Sequence, residues 1–360
     1  MLTEQKKTEY LVAAVEAVAL AARVTQAVQK NIATLGSVSK DDRSPVTVAD
    51  FAAQAVVSHH LCESLRVSPD VIRIVGEESA GILRTPEKAG VLAAVVEAVR
   101  TVWNTAAPEQ VLDAIDACDH DATTSAYWTL DPIDGTKGFL RNQQYAISLA
   151  WIANGKVDIG VMGCPNLSDN FDHSFDDACE RGQIFFAVRS QGAWSMPIDQ
   201  ADETDLFDPR KSARPLNRAK ASRVQRSDER IRVCESVESG HTSHDDTARI
   251  LTHLGGAGTP ARLDSQAKYA VVARGQADAY LRLPTRPGYV EKIWDHAAGM
   301  LVAQEAGVTV TDITGALLDF SQGATLSRNQ GVICAAPEFH EKIILAIGAL
   351  GMTTPGVTTP

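Results

Sequence analysis

Trp128-Thr129-Leu130-Asp131-Pro132-Ile133-Asp134-Gly135-Thr136 is the stretch on which the reading of this 360-residue chain turns. Tyr127 to Leu130 form an apolar, β-prone approach to two aspartates three residues apart. Pro132 between them has no N–H to donate, which predicts that the strand ends there. Carboxylates at a strand end, held by a rigid proline turn, can point into one small volume. Like charges tolerate such closeness only with something positive between them. Hard divalent cations with oxygen ligands, Mg²⁺ foremost, fit that role. A solvated turn is the plain alternative, because Asp, Pro and Gly are ordinary turn residues.

Three further acidic segments bear on that choice. Asp50 falls early in an expected helix, Glu77 and Glu78 follow a short β-branched run ending at Gly76, and Asp295 follows Trp294 at an expected helix start. Each has an ordinary explanation alone: a first-turn helix acid, loop charges, an N-cap. Their joint occurrence with the Asp131–Thr136 turn favours a metal cluster. Converging carboxylates call for two or more divalent ions, and paired Mg²⁺ ions suit phosphoryl transfer to water. Gly135 and Thr136 add a phosphate cradle if they begin a helix, and the Thr136 hydroxyl can orient a water.

The composition narrows the classes. With 44% hydrophobic and 22% charged residues the chain reads as globular, forming one large domain or two of ordinary size. A net charge of −11 argues against a general nucleic-acid or anionic-membrane binder. No secretory leader and no apolar run of about 18 residues stands out, so no membrane span is expected. The six cysteines include no C-x-x-C pair, which suits reduced thiols and a cytoplasmic setting.

Helices are expected over 8–33, 49–66, 91–102, 245–254, opening at Leu263–Lys268, from Trp294 through Ala306, and over 337–350. Hairpins are expected around Asn154-Gly155 and Ser190-Gln191-Gly192. Residues 104–126 read as compact and irregular, 199–230 as a surface insertion, and 351–360 as a disordered tail. Irregularly mixed strands and helices with central hairpins fit a layered α+β architecture better than a doubly wound sheet. The expected division is 1–165, carrying most metal ligands, and 166–350, carrying nucleotide-binding residues and Asp295.

Gly76-Glu77-Glu78, Asp131–Thr136 and Trp294-Asp295, in that order, resemble the lithium-sensitive, Mg²⁺-dependent phosphatase superfamily of inositol monophosphatases and fructose-1,6-bisphosphatases. Lys137–Arg141, Gly163–Leu167, Gly240–Asp245, Leu263–Tyr269, Tyr280–Pro284 and Lys292–Gly299 narrow the resemblance to the 3'(2'),5'-bisphosphate nucleotidases of fungi and plants. The resemblance implies a layered αβαβα sandwich. It implies hydrolysis of the 3'-phosphate of 3'-phosphoadenosine 5'-phosphate, or its sulfated form, in support of sulfur assimilation and salt tolerance. It further implies two or three Mg²⁺ ions, inhibition by Li⁺ and Na⁺, and a monomer acting on a small molecule.

Carried over residue by residue, the resemblance makes Glu77, Asp131, Asp134, Asp295 and the Ile133 carbonyl metal ligands. Asp50 and Thr136 become the groups that bind or activate water. Gly135, Thr136, His241, Ser265, Lys268, Arg282 and Asp295 fall on the substrate. Lys268 and Arg282 would supply charge-assisted hydrogen bonds to the 5'-phosphate; composition alone would make them solvent-facing cations. Two other functions compete: an inositol phosphatase of the same superfamily, and a nucleotide-sensing protein without catalysis.

Overall fold

The computed structural model describes residues 2–35, 45–202, 208–217, 230–240, 242–256, 259–286 and 288–352. Two long helices, α1 (Glu4–Leu35) and α2 (Pro45–Leu65), pack against each other. They are followed by β1 (Ile74–Gly76), α3 (Ala89–Arg100), α4 (Pro108–Asp116), β2 (Ala126–Asp134) and the short α5 (Thr136–Leu140). The strands β3 (Ala146–Ala153), β4 (Lys156–Cys164), β5 (Gln183–Val188), β6 (Gly192–Pro197) and β7 (Arg214–Leu216) complete a seven-stranded sheet in sequential order. Both expected hairpins form. Asn154 and Gly155, at φ 51° and 70°, supply the left-handed pair that a tight two-residue turn demands.

The second half contains β8 (Val233–Glu235), α6 (His244–His253), β9 (Ala261–Arg262), α7 (Ala267–Ala273), β10 (Ala279–Arg282), α8 (Ala297–Glu305), β11 (Thr309–Thr311), β12 (Val332–Ala335) and α9 (Pro337–Ala349). Its five strands are ordered β11-β12-β10-β8-β9. Apolar residues divide the molecule into layers. Leu11, Val15, Val18 and Val57 of α1 and α2 meet Ile147, Leu149, Val161 and Phe186 on one face of the large sheet. On its other face Phe185 and Ala187 share a core with Tyr269 and Val272 of α7, Ala298 and Val302 of α8, and Tyr280 and Cys334 of the small sheet. Ile250, Leu251, Ile343 and Ile347 of α6 and α9 cover the outer face of that sheet. The order is helix, sheet, helix, sheet, helix: the layered α+β sandwich the sequence predicts. A 28-residue segment of α1, Glu4–Asn31, is long and apolar enough to cross a membrane, but most of its apolar stretch is buried where the helix packs onto the sheet.

Three expectations need correction. Residues 104–126 contain α4, a regular helix opened by Pro108, with Gln110 Oε1 accepting from the Ala107 N–H at 2.9 Å. Part of 199–230 is not a loop: Arg214–Leu216 adds β7 to the sheet beside β6. Pro132 does not end its strand, since β2 runs on to Asp134. From Asp131↔Ser148 to Asp134↔Ala146, β2 advances three residues while β3 advances two. Pro132 sits in that bulge, where a missing N–H costs no ladder bond. Residues 353–360 of the expected tail lie outside the described residues.

Candidate active site

The bulge sets the site. β1 pairs in parallel with β2, Gly76 opposite Leu130, so the next residues, Glu77 just past the end of β1 and Asp131 at the bulge of β2, stand side by side. Their carboxyl groups come within hydrogen-bond reach of each other. The bulge turns Asp134 toward the same side; Asp131 Oδ1 accepts from the Ile133 N–H at 3.1 Å and braces the turn. Helix α2 is docked by Gln54, one turn beyond Asp50. Gln54 Oε1 accepts from the Glu78 N–H (3.1 Å) and Nε2 donates to the Glu78 carbonyl (2.7 Å). Gly76 permits this approach: a Cβ there would lie 2.8 Å from Gln54 Oε1 and 2.7 Å from Cys118 Cβ.

From the opposite side come α7, β10 and the start of α8. Gly135, at φ 91°, reverses the chain so that Thr136 opens α5. A Cβ on Gly135 would stand 3.0 Å from Ser265 Cβ, so glycine lets the two halves close. Ser265 itself is held at φ 70°, a costly conformation for a side chain other than glycine. Gln266 ties the halves together. Its main-chain N–H donates to Asp134 Oδ2 (2.5 Å), its Nε2 to the Trp294 carbonyl (2.7 Å), and its Oε1 accepts from the Gly299 N–H (3.1 Å). At the rim Lys137 and Arg141 of the α5 region both pair with Glu238 at 2.9 Å, and Arg141 also pairs with Asp264.

The result is a cleft of about 340 Å³ whose lining includes the Glu77, Asp131, Asp134 and Asp295 carboxylates together with Lys268 and Arg282. Glu77, Asp131, Ile133, Asp134, Gly135, Thr136, Ser265, Lys268, Arg282 and Asp295, ten of the residues singled out in the sequence, line it together. Asp50 is buried behind this wall, close enough to Glu77, Glu78 and Asp131 to interact with each. His241 lies outside the described residues. Asp295 is not the helix N-cap of its ordinary explanation, for His296 occupies that position. Lys268 and Arg282 are not solvent-facing either. Lys268 is 2% exposed, its Nζ donating to the Leu263 carbonyl (3.1 Å) and resting 5.1 Å from the Tyr280 ring centre. Gln266, Glu238, Tyr280 and Tyr289 also line the cleft and were missed as site residues. Gln266 was within reach of a sequence reading, inside the Leu263–Tyr269 motif, whereas Glu238 and Tyr289 carry no local signal.

Burial and mutual repulsion leave the carboxylates short of positive charge. Burial, with the neighbouring Glu78 and Asp134 charges, pushes Glu77 up to about 7. Burial likewise lifts Asp295 to about 8, against the pull of Arg282, and raises Asp131 and Asp50 well above the ordinary carboxylate range. An all-oxygen donor set of this charge fits a hard divalent cation. In the same cleft desolvation brings Lys268 down to about 8.

The inositol monophosphatase family profile matches residues 6–351, and the chain belongs to that family. It is 39% identical over 336 residues to a fission yeast (Schizosaccharomyces pombe) protein named 3'(2'),5'-bisphosphate nucleotidase, covering 91% of this chain and 90% of that protein. An Arabidopsis thaliana protein, 3',5'-bisphosphate nucleotidase 2, is 38% identical, with 94% and 95% covered. Among solved structures an inositol monophosphatase from Anabaena superposes with a TM-score of 0.57 at 18% identity, covering 98% of this chain and 99% of that one, which bears on the fold. Members of the family are generally Mg²⁺-dependent phosphatases.

Proposed function

We propose that this protein is a 3'(2'),5'-bisphosphate nucleotidase that hydrolyses the 3'-phosphate of 3'-phosphoadenosine 5'-phosphate, or of its sulfated form, to release phosphate. The observation that carries the reading is the charge lining the cleft: the Glu77, Asp131, Asp134 and Asp295 carboxylates share it with Lys268, which is buried, and Arg282, which is largely turned in from solvent. A nucleotide with two phosphates can use both kinds of charge. One phosphate joins cations over the carboxylates; the other meets the protein's own cations through charge-assisted hydrogen bonds. A polyol monophosphate leaves Lys268 and Arg282 without a ligand, which favours the nucleotide over an inositol phosphate. The names of the fission yeast and Arabidopsis relatives agree.

Glu77, Asp131, the Ile133 carbonyl, Asp134 and Asp295 would hold Mg²⁺. When bound, Mg²⁺ supplies Lewis-acid polarisation of the phosphoryl group and neutralises the leaving oxygen. Thr136 Oγ1 orients the attacking water, and Asp50, whose buried carboxyl takes up protons readily, accepts or relays its proton. Gly135 and Thr136 border the phosphate, while Ser265, Lys268 and Arg282 grip the 5' end. His241 stays in this proposal on sequence grounds alone, as do inhibition by Li⁺ and Na⁺ through competition at the cation sites and action as a monomer. Cys62, Cys118, Cys164 and Cys234 are buried free thiols, in keeping with a reducing cytoplasmic setting. Phosphate release from 3'-phosphoadenosine 5'-phosphate and from inositol phosphates, measured side by side with Mg²⁺, tests the proposal. Faster release from the inositol phosphates would overturn it.

A further inference from the structure

We propose that Glu291 is a positioning residue that holds the Arg282 guanidinium off Asp295, keeping that carboxylate free for a divalent cation; this rests on the reading of Asp295 as a cation ligand. Arg282 Nε donates to Glu291 Oε1 at 2.8 Å and Nη2 reaches Glu291 Oε2 at 2.7 Å, the two-pronged pairing a planar guanidinium makes with a carboxylate. The same Nη2 stands 3.6 Å from Asp295 Oδ2. Arg282 therefore lies between two acids and is committed to one.

Glu291 is itself held in place. His296 Nε2 lies 3.2 Å from Glu291 Oε2, and the Tyr269 hydroxyl lies 2.9 Å from His296 Nδ1. A tyrosine hydroxyl donating to Nδ1 leaves the imidazole proton on Nε2, where it donates to Glu291. Glu291 is 5% exposed, and His296 and Tyr269 are fully buried. Glu291 thus accepts from Arg282 and His296 at once and cannot follow the guanidinium if it moves.

A desolvated guanidinium pairs with the nearest carboxylate available. Without the Glu291 charge that carboxylate is Asp295, and a direct Arg282–Asp295 pair would contest its oxygens with any cation. Glu291, Asp295 and His296 themselves offer three ligand atoms within 4.8 Å of one another. They do not make a separate metal site, because Arg282 and Tyr269 already engage Glu291 and His296, and a cation there would abut a guanidinium.

The test is Mg²⁺ binding by calorimetry without substrate, on the wild type, Glu291→Gln, Arg282→Gln and the double variant, with circular dichroism checking each fold. Glu291→Gln is expected to weaken Mg²⁺ binding about 10-fold or more, as loss of a group supporting a metal ligand typically does. Arg282→Gln is expected to bind Mg²⁺ at least as tightly as the wild type, and the double variant to recover most of the loss. A role confined to packing would leave the double variant no better than Glu291→Gln. Unchanged affinity in Glu291→Gln, or weakened affinity in Arg282→Gln, overturns the proposal. A wild type that binds no Mg²⁺ overturns the cation-site reading first and this proposal with it.

Discussion

Asp134 and Gln266, 132 positions apart, are joined by a 2.5 Å hydrogen bond from the Gln266 main-chain N–H to Asp134 Oδ2. The same glutamine grips the main chain on either side of Asp295 through Trp294 and Gly299. Two carboxylates from opposite halves of the fold are thereby set at a fixed separation by one residue, which is what a site for fixed-radius ions requires.

Asp134→Asn should abolish phosphate release while the circular dichroism spectrum stays unchanged. Asparagine keeps an oxygen for the Gln266 N–H but loses the negative charge that a cation needs. Near-normal turnover would contradict the assignment.

Gln266→Ala should lower stability by roughly 1–3 kcal/mol, because the Trp294 carbonyl and Gly299 N–H lose a buried partner. Urea unfolding measures this. The main-chain bond to Asp134 survives the change, so the kcat of the folded fraction should fall less than in Asp134→Asn.

Lys268 should set the alkaline limb of activity. Its ammonium titrates at about 8, so it is charged below that pH and neutral above. The pH profile of kcat/KM, which reports the free enzyme, should fall above about 8. The kcat should hold to higher pH, because bound phosphate favours the charged amine. Lys268→Met should remove this limb; a limb unchanged in that variant would refute the assignment.

Gly299→Ala should destabilise by about 1–3 kcal/mol, the usual cost of overpacking. Its Cβ would fall 2.3 Å from Tyr269 Cδ2, and the tyrosine cannot yield without losing its bond to His296. Thermal unfolding reads the outcome.

Removing divalent cations with a chelator should abolish turnover, and adding Mg²⁺ back should raise the unfolding temperature. A ligand that binds only the native state stabilises it by mass action. An unfolding temperature insensitive to Mg²⁺ would count against a carboxylate set built for cations.

The motifs made the acidic half of the site legible, since Glu77, Asp131, Asp134 and Asp295 sit in short patterns whose chemistry is local. Periodicity and turn residues likewise marked the long helices and the Asn154-Gly155 hairpin. Helix α4 is short, and its signals, Pro108 at the first turn, the Gln110 side chain capping the Ala107 N–H and the apolar Val111, Leu112, Ala114 and Ile115, were present in the sequence but passed over. Strand β7 was hidden because its three residues acquire meaning only beside β6. Pro132 misled, because a proline ends a strand or sits in a bulge according to the register of the partner strand, which the sequence does not contain.

By itself the order of residues determined the chemistry on offer: which carboxylates, hydroxyl and cations exist, and that glycines stand where the chain must reverse or close up. Only the tertiary structure decided their state. Burial turned Lys268 from an ordinary ammonium into one titrating at about 8, and packing beside Glu291 and His296 decided which acid Arg282 serves. Such properties depend on distance and dielectric, and both come from segments far apart in the chain.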